Sequence, residues 1–331
     1  MSEFAGELTA LILSLAKDAV APDDGELTPL WSQIQELGLT GIGIAESAGG
    51  SGGELADLVV VIRELARAGI ASPIVEASTA ALAIGPAAAG CFDTVATNRG
   101  VLLRVPELTA DLGIVAFASR AARMVIVGED DVAVVNLADA ILEPVIDIAG
   151  RPAGRVRVDR VRCELRGIGP GAVAERLALA RTASLVGNCW GAYELTKRYL
   201  LERHQFGAPL IRIPAVSANL SQMAVRIRAA ESALHRAVEV CSLGEGPAEV
   251  RRFGAVAGAR IVAAQAATLV ARSTHQLHGA VGITSEYGLH RYTRALWSER
   301  DADHSQRDWS ERLGATAIAF DEDVLWDQMT A

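Results

Sequence analysis

The stretch RHQFGAPLIRIPAVSANL, residues 203–220, lies between two long apolar-periodic runs and decides how the second half of the chain is read. A helix–helix turn needs a glycine and little else. Here Arg203, Gln205 and Phe206 stand directly before Gly207, and Pro209 and Pro214 separate them from the next run. Upstream, the sequence after Gly171 carries apolar residues at helical spacing to about Arg203. Downstream, Val216, Leu220, Met223, Ile227, Leu234 and Val238 form one stripe of a second helix. EVRRFGAVAGARIVAAQAATLVARSTHQLHGAVG is nearly all small residues, as suits a helix buried among others. A fourth helix begins near SEYGLHRYTRALWSERD. Long helices with short connections predict a C-terminal antiparallel four-helix bundle over residues 169–331.

Outward from the bundle, the preceding residues change character. RMVIVGEDDVAVVNL spells two short strands around a GEDD turn, and GRVRVDRVRCEL alternates with period two. Residues 99–168 therefore predict a small, shortened β-domain. The first part is helical again. Phe4, Leu8, Leu11, Ile12 and Leu15 recur at helical spacing, as do Leu30, Ile34 and Leu37 before Gly38. The glycine-rich loop GIGIAESAGGSGGEL leads into ELADLVVVIRELARAGI, an amphipathic helix ending near Gly69, and an Ala-rich helix follows Pro73 up to about Gly90. Residues 1–98 read as an N-terminal helical domain.

The chain has 331 residues, half of them hydrophobic, enough for more than one core. A net charge of −9 and a pI near 5.3 argue against a nucleic-acid or anionic-membrane binder, which needs a basic field. Cys91, Cys163, Cys189 and Cys241 form no C-x-x-C pair and read as reduced cysteines. MSEFAGELTA has acids where a signal peptide needs bases, and the uncharged run ASTAALAIGPAAAGCF is too short and too interrupted to span a bilayer. These features read as a soluble, cytoplasmic protein.

Isolated motifs say little. GIGPG precedes a helix, but no βαβ unit surrounds it. His275 and His278 sit three apart with no third ligand in view, so no metal is expected. There is no G-x-S-x-G elbow. Glu175, in AERLALA, lies in the first turns of a long helix, where a carboxylate serves as a dipole partner, a surface group or a catalytic base.

Three segments together resemble one family. RHQFGAPLIRIPAVSANLSQMAVRIRAA resembles the R-x-x-F-G-x-P stretch of acyl-CoA dehydrogenases. QLHGAVGITSEYGLHRYTR is similar to their Q-x-x-G-G-x-G segment, and LWSQIQELGLTGIGIAESAGGSGGELADLVVVIRELARA to their N-terminal loop and helix. The resemblance implies FAD-dependent α,β-dehydrogenation of an acyl-CoA thioester, with electrons passed to an electron-transfer flavoprotein. It implies that Arg203 approaches the FAD pyrophosphate, that Gln205 and Phe206 contact the adenosine or ribityl portion, and that Gln276 and the backbone at Gly279 lie along the pyrophosphate. These contacts would serve the FAD of a neighbouring subunit. The pattern x-E-R-L-x-x-A implies Glu175 as base.

The sequence also departs from the family. Its T-E-P-x-x-G-S-D and W-I-T-N segments, which hold the flavin ring, are missing between Gly90 and Gly171. The C-terminal glutamate segment is replaced by LWSERDADHSQRDWSERLG, and Ala280 stands for the second glycine of Q-x-x-G-G. This pattern resembles the short subunit of actinobacterial heteromeric acyl-CoA dehydrogenases, which pairs with a long subunit in an α2β2 assembly and acts on bulky, for example steroid-derived, acyl groups. The alternatives are a homomeric enzyme using Glu175 and an inactive scaffold subunit.

Overall fold

A computed structural model describes residues 4–17, 19, 22, 24–97, 107–243 and 249–319. The expected domain boundary at 98/99 lies outside the described residues. Contacts divide the chain into two compact units, Ser2–Ile62 with Ile70–Ala180, and Arg63–Gly69 with Arg181–Ala331.

The first unit holds α1 (Ala5–Ala16), α2 (Trp31–Glu36), most of α3 (Leu55–Arg67), α4 (Ile74–Ile84) and the β-domain. Of the α1 stripe, only Ile12 is fully buried. Helix α4 ends at Ile84 rather than near Gly90, because Gly85 turns the chain with φ +76 and Pro86 cannot continue a helix. The β-domain has two sheets. One has the order β1 (Asp93–Thr97), β3 (Arg123–Val127), β4 (Val132–Asn136), β7 (Glu164–Arg166). The other has the order β2 (Glu107–Ala116), β6 (Pro152–Arg162), β5 (Ile141–Ile146). The GEDD hairpin forms as read: Val127 faces Val132, and the Gly128 amide donates to the Asp131 carbonyl at 2.9 Å. Alternation on β6 buries Val156, Val158 and Val161 and exposes Arg155, Arg157 and Arg162. Those valines join Leu108, Met124, Ile126 and Val135 in one core.

The second unit is the helical bundle. Helix α5 (Pro170–Glu202) enters it at Arg181 and is followed by the short strands β8 (His204–Gln205) and β9 (Ala208–Pro209). Then come α6 (Pro214–Ser242), α7 (Glu249–His278), α8 (Leu289–Asp301) and α9 (Gln306–Ile318). Contacts give the directions. Near its entry α5 meets the end of α8, through Arg181 and Glu299, and its last turns meet Tyr287, before α8, and His278, at the end of α7. So α5 runs antiparallel to α8 and parallel to α7.

Small residues make this packing close. Seven alanines of α7, from Ala257 to Ala271, are buried. By length and composition the run Glu249–Ile283 meets the requirement for a membrane span, but half of its apolar window is buried inside the unit, as in a bundle-core helix. Helix α9 was not expected. Its start is fixed by a capping box, in which Ser305 Oγ accepts from the Asp308 amide and the Asp308 carboxylate accepts from the Ser305 amide.

Candidate functional site

The opening stretch folds into a two-residue hairpin at the end of α5. The Arg203 amide donates to the Tyr199 carbonyl, and the Leu210 amide to the Arg203 carbonyl, both at 2.8 Å. His204 pairs with Pro209 and Gln205 with Ala208. Phe206 and Gly207, between the strands, have φ of +53 and +79. Positive φ at both central positions is the type I′ turn, which favours Asn-Gly or Gly-Gly. An aromatic residue there costs roughly 1 kcal/mol. Burial does not offset this cost, since Phe206 is 93% exposed. Arg203 and Gln205 are exposed beside it.

The second segment ends α7. Gln276 is exposed, and Gly279, at φ +60, opens a 3-10 turn over Gly279–Ile283. Among the described residues, nothing lies within 4 Å of where a Gly279 Cβ would stand. The backbone is thus open to approach from outside the chain, as a pyrophosphate requires. Ala280 shares this exposure, and Ile283 is 76% exposed.

Three rings join these segments. Tyr199 stacks on His278, with centroids 4.5 Å apart and planes inclined by 25°, and Tyr287 lies 5.0 Å from His278 and 6.0 Å from Tyr199. His278 Nδ1–H donates to the Thr274 carbonyl at 2.8 Å, which leaves Nε2 to accept from the Tyr287 hydroxyl at 3.3 Å. Burial pushes the His278 pKa below its ordinary value. His275 turns elsewhere: its Nε2 bonds to Thr293 Oγ1 at 3.0 Å, and its ring stacks on Trp297. The two histidines therefore do not converge on a common point, and among the described residues no three metal-ligating side chains cluster.

Glu175 belongs to the first unit. It sits half-buried in the second turn of α5. Sequence reasoning missed the importance of its neighbour Arg176. That guanidinium is buried and donates to the carbonyls of Ser78 (3.0 Å), Gly43 (3.5 Å) and Ile42 (2.5 Å). Burial lowers its pKa to about 10. Arg176 thereby fixes the start of α5 against α4 and the glycine-rich loop. The loop is closed on itself: amides 43, 44 and 48–52 all donate to carbonyls within 41–52, so it offers no phosphate cradle.

The corner between α8 and α9, where the family's C-terminal glutamate segment would fall, is taken up by structure. Arg181 donates to Glu299 at 3.1 Å and to Asp303 at 2.9 Å. Arg260 Nη2 donates to the carbonyls of Glu299, Arg300 and Ala302 at 3.3–3.5 Å, and burial lowers its pKa to about 10. The acids of this corner neutralise buried arginines.

A helical N-terminal segment, a small two-sheet β-domain and a helical bundle with an exposed Arg-x-x-Phe-Gly hairpin are, in that order, the parts that the resemblance to acyl-CoA dehydrogenases implies. The acyl-CoA dehydrogenase N-terminal domain matches residues 7–89 and the acyl-CoA dehydrogenase C-terminal domain matches residues 168–300. This chain belongs to the acyl-CoA dehydrogenase family. It is 28% identical over 306 residues to the acyl-CoA dehydrogenase IpdE2 of Mycobacterium tuberculosis, covering 89% of this chain and 88% of that protein. Its fold is that of the ChsE4–ChsE5 complex from Mycobacterium tuberculosis (TM-score 0.86, 20% identity, 97% of this chain and 98% of that one). It is equally that of a variant of the steroid ACAD Tcur3481–Tcur3483 (TM-score 0.84, 24% identity, 96% and 98%).

Proposed function

We propose that this chain is the short subunit of a heteromeric, FAD-dependent acyl-CoA dehydrogenase, acting in the cytoplasm on a bulky, steroid-derived acyl-CoA within an α2β2 assembly. The observation that carries this reading is Phe206. A ring held at positive φ and left 93% exposed makes sense when something from outside the chain covers it. The adenosine or ribityl portion of an FAD fits that surface, with Gln205 beside it. Arg203 would donate charge-assisted hydrogen bonds to the pyrophosphate, and Gln276 with the open backbone at Gly279 would line its other side. The missing flavin-ring segments support a cofactor completed by a second, longer chain. One chain of the Tcur3481–Tcur3483 steroid ACAD and one of the ChsE4–ChsE5 complex, each matched along 98% of its length, support a two-chain assembly, and the first supports a steroid-derived substrate.

Bound FAD supplies the acceptor for the substrate's β-hydride, and an electron-transfer flavoprotein would take the electrons onward. Glu175 would hold the α-proton, on a helix turn that Arg176 keeps from rotating. That same anchoring favours a second reading, a homomeric enzyme with Glu175 as its base. Flavin content of the chain purified alone and co-expressed with a long acyl-CoA dehydrogenase subunit separates the two. Stoichiometric FAD in the lone chain overturns the shared site. Glu175→Gln tests the base: retained FAD with abolished turnover is expected, and unchanged turnover rejects it. Arg203→Ala should lower the flavin content of the complex; unchanged content would leave only a scaffold role.

A further inference from the structure

We propose that His278 is the positioning residue of this half-site, joining the Arg203 hairpin to the Gly279 turn so that the grip on an adenine dinucleotide weakens on the acid side of neutrality. The inference rests on the half-site reading above and adds a residue and a regulation to it. A continuous path connects the two contact segments. The Arg203 amide is bound to the Tyr199 carbonyl, the Tyr199 ring lies flat on the His278 ring, and His278 is bonded directly to Gly279. The Tyr199 hydroxyl also points at the His278 carbonyl, at 3.5 Å.

The imidazole is held as one tautomer. Its Nδ1–H is committed to the Thr274 carbonyl, and its Nε2 must be unprotonated to accept from Tyr287. Tyr287 in turn ties down the far end of the segment that begins at Gly279. A proton added at Nε2 turns that bond around, since the Tyr287 hydroxyl can also accept, but it places a cation in a buried position, and that charge is what loosens the cluster. Among the described residues, the groups around it are Tyr199 on α5, His275 on its own helix and Tyr287 ahead of α8. Arg198 and Glu202 act on Tyr287 with opposite sign. None of these is a carboxylate paired with the ring, so among the described residues nothing compensates the new charge. The segment 279–287 is then released from α5, and the spacing between Gly279 and Arg203 is no longer fixed.

The test is equilibrium binding of FAD, and of ADP as its adenosine-pyrophosphate half, to the full chain assembled with its co-expressed long subunit, between pH 8 and pH 5.5. Both ligands are titrated to millimolar concentration, with thermal unfolding recorded for each variant. Wild type should lose about tenfold in affinity on the acid side. His278→Phe keeps a ring against Tyr199 but cannot titrate, so its affinity should stay within about threefold of wild type at pH 8 and remain flat with pH. His278→Ala should bind about tenfold more weakly at every pH. An acid-side loss in His278→Phe as large as in wild type overturns the proposal, as does wild-type affinity in His278→Ala at pH 8. If Arg203→Ala binds like wild type, or wild type binds neither ligand at any pH, the half-site reading itself fails. If Arg203→Ala loses binding while both His278 variants behave as wild type, only the role of His278 fails.

Discussion

Arg181 and Glu299 meet 3.1 Å apart with their side chains only 3% and 2% exposed, an ion pair almost wholly removed from water. Asp303 and the carbonyls held by Arg260 complete the arrangement, so that α5, α7 and the α8–α9 corner share one polar centre. Desolvating two charges costs nearly as much as their attraction returns, but removing one partner strands the other. Glu299→Gln or Arg181→Met should therefore cost about 3–5 kcal/mol, measured by urea unfolding. The double replacement Arg181→Met/Glu299→Leu should cost less than either single one. A double variant as unstable as the sum of both singles would show that the two residues do not act through each other and that each holds the corner through its other partners.

Phe206 makes the opposite kind of statement: a residue that the fold would do better without. Its φ of +53 is one that glycine adopts freely, and its ring has almost no neighbours in the chain. Phe206→Gly relieves turn strain of roughly 1 kcal/mol but loosens the unfolded chain, so stability should be unchanged or raised by up to about 1 kcal/mol. Flavin retention by the assembled enzyme should fall. Calorimetry of the chain and flavin absorbance of the complex read these two effects separately. A clear loss of stability would mean that the ring packs against this chain, contrary to its exposure.

These two cases show what the sequence was able to reveal. The bundle was legible because burial on α6 follows its apolar stripe: Leu220, Met223, Ile227 and Leu234 are all buried. The GEDD hairpin was legible because a two-period pattern flanks turn residues. Helix α9 was missed although SQRD spells its capping box, because no strong apolar period follows Ser305. The hairpin residues stood out through an aromatic ring beside a turn glycine. His278 did not, and its spacing from His275 suggested at most a metal pair. Its partners Tyr199 and Tyr287 come from other elements, and its bond to Thr274 is to a backbone carbonyl. Arg176 was hidden for the same reason: all three of its acceptors are carbonyl oxygens, which no side-chain pattern reveals.

One buried and two half-buried histidines set the direction of the pH response. Burial is the first cause lowering the pKa of His235, His275 and His278 below the ordinary value of 6.5. The unfolded chain therefore binds protons in this range that the folded chain resists. Stability from these groups is fully present above pH 6.5. It is lost as pH falls from there through their lowered folded-state values. Denaturant midpoints should fall between pH 7.5 and pH 5, and His278→Phe should flatten part of that slope. A rise in midpoint on acidification would contradict the burial of these rings.

Two glycines of the bundle test how close its packing is. A Cβ at Gly187 would fall inside the van der Waals radius of the Arg63 carbonyl, and one at Gly191 would overlap the Tyr292 ring and the Arg67 carbonyl. Here the carboxyl end of α3 lies directly on α5, and the Tyr292 hydroxyl donates to the Arg67 carbonyl at 3.2 Å. Alanine is the better helix former by about 0.8–1.0 kcal/mol, so propensity alone predicts a gain from Gly187→Ala. The carbonyl of Arg63 is backbone and cannot rotate away, and overpacking of this kind costs about 1–3 kcal/mol. The clash should win, leaving Gly187→Ala less stable than wild type. Gly258, on α7, supplies the control, because nothing lies within 4 Å of its added Cβ. Gly258→Ala should gain stability by up to about 1 kcal/mol. Thermal unfolding of both variants under one set of conditions decides it. If Gly187→Ala gains as much as Gly258→Ala, α3 does not rest on α5 as closely as these contacts require.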